Sequence, residues 1–111
     1  MTEAVSVVRL GGIGLPADVL RIERLERPEP RAGEVGIRVT AFALNRADWL
    51  YARGWHYTKP VVGSRIGSEC SGVVEAVGPG VTRFRPGDRV ATVPFDTSAY
   101  GVHGEYAIVP E

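Results

Sequence analysis

Cysteine is nearly absent. Cys70 stands alone, so no internal disulfide can form and nothing points to an oxidising compartment. No apolar run approaches the ~20 residues of a membrane helix. Met1 to Leu10 lacks the basic start and apolar stretch of a secretory signal. An excess of one charge is missing too, with 13 Lys plus Arg against 13 Asp plus Glu. A nucleic-acid binder shows a basic excess on one face, whereas these arginines are spread among acids. The absences predict no nucleic-acid partner, no membrane partner and a cytoplasmic location.

What is abundant is chain-breaking residues. The 111 residues include 14 glycines and 8 prolines, about a fifth of the chain against roughly an eighth in average usage. Such punctuation disfavours long helices and suits short strands joined by turns. Hydrophobic residues are 44% and charged residues 23%, ordinary values for one folded domain.

Strands are expected over Ala4–Leu10, Val19–Leu25, Glu34–Leu44, Gly72–Val77, Asp88–Val93 and Glu105–Val109. In the second, Leu20 and Ile22 alternate with Arg21 and Glu23, the pattern of a half-buried strand. Pro86-Gly87 fits the centre of a type II turn. Arg46–Arg53 is the one convincing helix, with Asn45 as its cap, Asp48 in its first turn and Gly54 as its stop. Trp55–Arg65 and Thr97–Gly104 read as irregular loops. The pattern predicts a mainly β fold, a small antiparallel and partly open barrel with one short helix.

Three sets of residues invite a functional reading. Gly12-Ile13-Gly14-Leu15-Pro16-Ala17 has the spacing of a dinucleotide-binding turn. That motif needs a helix whose first amides face a pyrophosphate, and here Pro16 and a strand follow, so a glycine-rich hairpin is expected. His56, His103 and Cys70 have no metal-ligand spacing. The histidines read as surface or loop residues, and Cys70, beside Glu69, as a buried structural thiol with a raised pKa. The densest polar cluster is Asn45, Arg46, Asp48, Tyr51 and Arg53. An amide there could orient a carbonyl, and a tyrosine could donate to a developing enolate oxygen. The same residues also serve a helix, with Asn45 as cap, Asp48 at the first turn and Arg53 at the last. Composition leaves both readings open.

A resemblance is carried by the order of several short segments. They are Glu26-Arg27-Pro28-Glu29-Pro30, Gly33-Glu34-Val35, Ala43-Leu44-Asn45-Arg46-Ala47-Asp48 and Gly67-Ser68-Glu69-Cys70-Ser71-Gly72-Val73-Val74, followed by Val77-Gly78-Pro79-Gly80-Val81, Phe84-Arg85-Pro86-Gly87-Asp88-Arg89-Val90 and Gly104-Glu105-Tyr106. Together they resemble the N-terminal, GroES-like domain of medium-chain dehydrogenases/reductases, over essentially the whole chain.

The resemblance implies a GroES-like fold and an oxidoreductase. Zinc alcohol dehydrogenases of the superfamily carry a cysteine ligand where this chain has Asn45, a relay hydroxyl where it has Ala47 and a histidine ligand where it has Ser68. Asn45, Asp48 and Tyr51 instead resemble the zinc-free quinone oxidoreductase and enoyl reductase branch. That branch reduces quinones or activated C=C bonds with NADPH. The implied catalytic residues are Asn45 and Tyr51, with Tyr57 as a further proton donor. Asn45 and Arg46 would face the nicotinamide, and no metal is expected. Family members continue into a Rossmann domain that is not among these residues, so the expectation is a substrate domain, incomplete at its C-terminus and inactive alone. Its partners would be a small-molecule substrate and a Rossmann-domain chain or a second copy. The alternative is a non-enzymatic GroES-like interaction module that pairs through an unfinished sheet edge.

Overall fold

The computed structural model describes residues 3–94, 96 and 98–111. Strand β1 (Ala4–Leu10) and strand β2 (Leu20–Glu26) form an antiparallel hairpin. Strands β3 (Glu34–Phe42), β4 (Cys70–Val77), β5 (Arg89–Ala91) and β6 (Tyr106–Pro110) form a second sheet in the order β5-β4-β3-β6. Every pairing is antiparallel and neither sheet closes on itself. The mainly β, partly open architecture is the expected one.

The hairpin and the larger sheet are joined by loops. Val8 N–H donates to His103 O (3.2 Å), Glu105 N–H to Ser6 O (2.8 Å) and Leu10 N–H to Ser64 O (2.9 Å). Residues 63–66 and 103–105 thus lie along β1. The core follows from alternation in the strands. Val5 and Val7 of β1 pack on Tyr106, while Val35, Ile37, Cys70, Val74, Ala107 and Val109 fill the space beneath the larger sheet. Leu10, Ile66, Tyr51 and Ala52 fix the second helix, α2 (Arg46–Arg53), against the hairpin.

Several expectations need correction. An unexpected first helix, α1 (Pro16–Val19), takes Val19 out of the expected strand. Pro16 sits at its first position, where proline's fixed φ and missing N–H cost nothing. Strand β2 is not half-buried along its length, since Ile22 is 78% exposed. It pairs only with β1, and its outer edge has no partner strand among the described residues. Strand β3 ends at Phe42, after register shifts at Gly36/Ile37 and Val39/Ala41 bend it away from the sheet. Strand β4 starts earlier than expected, at Cys70, and β5 is shorter. Bonds from Val74 N–H to Asp88 O (2.9 Å) and Thr92 N–H to Cys70 O (2.9 Å) extend the β5 pairing at both ends. Gly87 has φ +99° and Asp88 N–H reaches Arg85 O (3.1 Å), as a type II turn at Pro86-Gly87 requires. The expected loop Thr97–Gly104 opens on Thr97, which lies outside the described residues. Among those residues no helix is long and apolar enough to cross a membrane.

Candidate active site

Where β3 leaves the sheet, Ala43 N–H is held by Glu69 O (3.2 Å), and the chain turns at Asn45 into α2. The loop from Gly67 to Glu69 approaches the same point from the far side. Gly67 has φ +110°, and any Cβ there would overlap the His103 ring. Only glycine lets this backbone pass so close to the imidazole.

The result is a directional chain of hydrogen bonds. Asn45 Nδ2–H donates to Ser68 Oγ (3.1 Å), and Ser68 Oγ–H donates to Asp48 Oδ1 (2.9 Å). Asp48 Oδ2 accepts from Asn45 N–H (3.0 Å). Asn45 and Asp48 form a capping box, the Asn45 side chain facing the Asp48 N–H and the Asp48 carboxylate facing the Asn45 N–H, so Asn45 caps α2 as expected. Its amide nitrogen is meanwhile turned to Ser68. The Asp48 carboxylate is 7% exposed and lies in the first turn of α2, where the helix dipole favours a negative charge. Such linked bonds strengthen one another in a poorly solvated setting.

His103 closes the inner end. It is 4% exposed, so the expected surface or loop histidine is a buried one. Its ring stacks on Phe42 at 4.2 Å, and Nε2–H donates to Ala43 O (2.8 Å). A carbonyl only accepts, so Nε2 carries the proton. The same nitrogen lies 3.8 Å from Asp48 Oδ2.

The outer end opens into a cavity of about 290 Å³ lined by Asn45, Ala47, His56, Tyr57, Ser68 and Glu69 together with Pro94. Tyr57 is 92% exposed there, with its ring 4.2 Å from that of His56. Arg46 is exposed at the first position of α2. Tyr51 is not brought to this cavity. It is 1% exposed, and its hydroxyl pairs with Ser64 Oγ (2.9 Å) and accepts Val61 N–H (3.0 Å). The α2 face that packs under Leu10 and Ile66 carries Tyr51 inward. Its phenol pins the loop after the helix. Arg53, the basic residue of the last turn, also stacks over Trp49 (5.2 Å) and Trp55 (4.2 Å).

Among the described residues no group of three or more His, Cys, Asp or Glu could hold a metal ion. Cys70 is buried in the core, and burial first of all pushes its thiol pKa up against smaller lowering effects of Thr92 and Arg65. Burial, not neighbouring Glu69, is the cause. Ser68 and His103 were not expected as site residues. The signals were the glycine before Ser68 and the glycines on either side of Val102-His103.

A model of the alcohol dehydrogenase GroES-like domain matches residues 31–111. A quinone oxidoreductase of Pseudomonas aeruginosa is 40% identical over 94 residues, 85% of this chain and 28% of that protein. The crystal structure of a quinone oxidoreductase from Pseudomonas syringae superposes with a TM-score of 0.85 at 36% identity, over 96% of this chain and 31% of that one. A mycobacterial protein solved in complex with NADPH superposes with a TM-score of 0.79 at 31% identity, over 96% of this chain and 31% of that one. The chain thus spans about a third of the length of these relatives. It belongs to the alcohol dehydrogenase GroES-like domain family, on the quinone oxidoreductase side of the medium-chain dehydrogenase/reductase superfamily.

Proposed function

We propose that this domain supplies the substrate side of a zinc-independent, NADPH-dependent reductase of quinones or activated C=C bonds. The observation that carries the reading is the Asn45 carboxamide, held by Ser68 and Asp48 at the mouth of a cavity that also contains Tyr57. NADPH, when bound, supplies the hydride. This chain's part is to orient the acceptor and to supply a hydrogen bond to its oxygen.

An amide nitrogen carries two hydrogens. One of those on Asn45 is given to Ser68, and the other is available to a substrate oxygen or to the carboxamide of a nicotinamide. Fixing the amide in advance lets it meet developing negative charge without reorganisation. Tyr57 is the proton donor in this reading, and Arg46 flanks the cofactor side. Tyr51 is left with a structural role, because both its hydroxyl contacts are internal. Zinc does not fit. Asn45 and Ser68 are hydrogen-bonded to each other, and Ala47 has no donor atom.

The test uses the domain joined to a matching Rossmann domain, with turnover of a quinone as readout. Asn45→Ala is expected to lower turnover at least ~10-fold, about 1.4 kcal/mol in the barrier, beside a cap loss of about 1 kcal/mol in stability. Tyr57→Phe should lower turnover while leaving substrate affinity nearly unchanged. Full turnover in Asn45→Ala would sink the assignment.

A non-enzymatic pairing module is the second reading. An apolar channel of about 500 Å³ lined by Val35, Ile37, Phe84, Val90 and Val109 favours it. Full quinone turnover without any partner-binding defect in a Val109→Lys variant would count against it.

A further inference from the structure

Among the described residues Arg65 has no counterion. It lies in the loop between α2 and β4 and forms an isolated bridge with Arg9 of β1. Its Nη2–H donates to His103 O (3.2 Å), and its Nε–H is buried with no acceptor. Among the described residues no carboxylate comes within ion-pair distance of it. Its burial and the nearby Arg9 draw its pKa down to about 10, so it stays protonated at neutral pH.

The two arginines line a cavity of about 500 Å³, together with Arg31, Ser64, Ser98 and Tyr100. Glu29 and Glu34 also line it, and both have hydrogen-bond partners other than Arg65. Glu29 faces Arg27 (3.4 Å), and Glu34 accepts from Arg31 N–H (2.8 Å) and Tyr100 O–H (2.9 Å). Asp96 accepts from Ser98 Oγ–H (2.6 Å). Arg9 is itself partly committed, to Glu23 (2.9 Å) and Gly63 O (2.7 Å). Arg65 is therefore a cation of this cavity with no carboxylate partner among the described residues.

A desolvated charge is costly until something of opposite sign reaches it. A guanidinium fork matches the oxygens of a phosphate or a carboxylate, which it can bind through two parallel hydrogen bonds. We propose that this cavity binds a small oxyanion, a phosphate or carboxylate group, anchored on Arg65 with Arg9 beside it. The site shares no lining residue with the Asn45 cavity. His103 links it to that cavity, its carbonyl receiving Arg65 while its ring lies by Asp48.

The 111-residue chain is melted in sodium phosphate, in sodium acetate and in sodium chloride of equal ionic strength. In parallel, the arginine Nε–H resonances are followed by NMR during titration with each anion. Either oxyanion is expected to raise the melting temperature saturably, by about 4 °C or more over chloride, and to move the Arg65 Nε–H resonance along the same curve. The oxyanion that does so at lower concentration names the group. Arg65→Gln should abolish both effects and melt in chloride no lower than the unaltered chain, because a partly desolvated charge with no carboxylate partner has been removed. Equal melting in all three salts with an unmoved Nε–H resonance overturns the proposal. So does an Arg65→Gln variant that keeps the oxyanion effect. The resonance test on the unaltered chain decides by itself should that variant not fold.

Discussion

Tyr106 is fully buried against Val5 and Val7, yet its hydroxyl has no partner among the described residues. It reaches towards Gly36, where any Cβ would overlap the phenol oxygen. Arg27 lies over the ring at 5.3 Å. Burial raises the phenol's pKa, so it stays neutral. An unsatisfied buried hydroxyl stabilises nothing, and removing it spares its desolvation. Tyr106→Phe keeps the ring and its contact with Arg27. The expected outcome in urea denaturation is a stability unchanged or raised by up to about 1 kcal/mol, and a loss of that size would show that the hydroxyl is bonded after all. Residue identity alone could not assign such roles. Asn45 was legible as the residue before a helix, but its turn towards Ser68 depends on a loop 23 residues away. Tyr51 was legible as a phenol near that helix start. Which way it points depends on the packing of α2 against Leu10 and Ile66, contacts distant in sequence.

At the scale of elements, β3 and β4 are tied by charge as well as by backbone. Glu75 of β4 accepts from Arg38 of β3 (2.5 Å to Nε) and from Arg27 (2.9 Å), and Arg38 also pairs with Glu3. The Arg38 hydrogen bond is the main cause that holds the Glu75 pKa below its ordinary 4.5, and Arg27 adds to it against some desolvation. A carboxylate with a lowered folded pKa binds fewer protons in the folded chain than in the unfolded one. Stability then rises with pH through that interval. The Glu75 contribution is fully present above about pH 4.5 and is lost as pH falls through the lowered folded value. Glu75→Gln should cost about 1 kcal/mol at pH 7, given the partial exposure of all partners. The gap to the unaltered chain should narrow as pH drops from 5 to 3. A gap independent of pH would show that packing, not charge, holds the pair. The strands themselves were legible, because Val35, Ile37 and Val39 alternate and glycines mark their ends. The exposure of Ile22 was not, because alternation states which residues share a face but not whether anything covers it. The one-turn helix α1 was also missed, since four residues are too few for a helical period to show.

At the scale of the whole molecule, the fold bears on how this domain meets a nicotinamide cofactor by itself. The one segment with dinucleotide-like spacing, Gly12-Ile13-Gly14, joins the two strands of an antiparallel hairpin. A pyrophosphate needs free amides at the start of a sustained helix. Here Gly11 N–H is given to Val19 O (2.7 Å) and Gly14 N–H to Ala52 O (2.9 Å). Helix α1 has only four residues, and Asp18 places a negative charge in its first turn. In the proposed reading the cavity beside Asn45, about 290 Å³, takes the nicotinamide ring and not the rest of the dinucleotide. Calorimetry of the 111-residue chain with NADPH is therefore expected to show no saturable binding below the millimolar range, roughly −4 kcal/mol. Joined to a matching Rossmann domain, the same chain should bind NADPH with a micromolar dissociation constant, and Asn45→Ala should weaken that binding far less than it slows turnover. A micromolar constant for the chain alone would mean that an anion-binding surface outside the glycine turn holds the cofactor. The Arg65→Gln variant distinguishes that case directly, since it would lose NADPH along with inorganic phosphate if the two share the Arg9–Arg65 cavity.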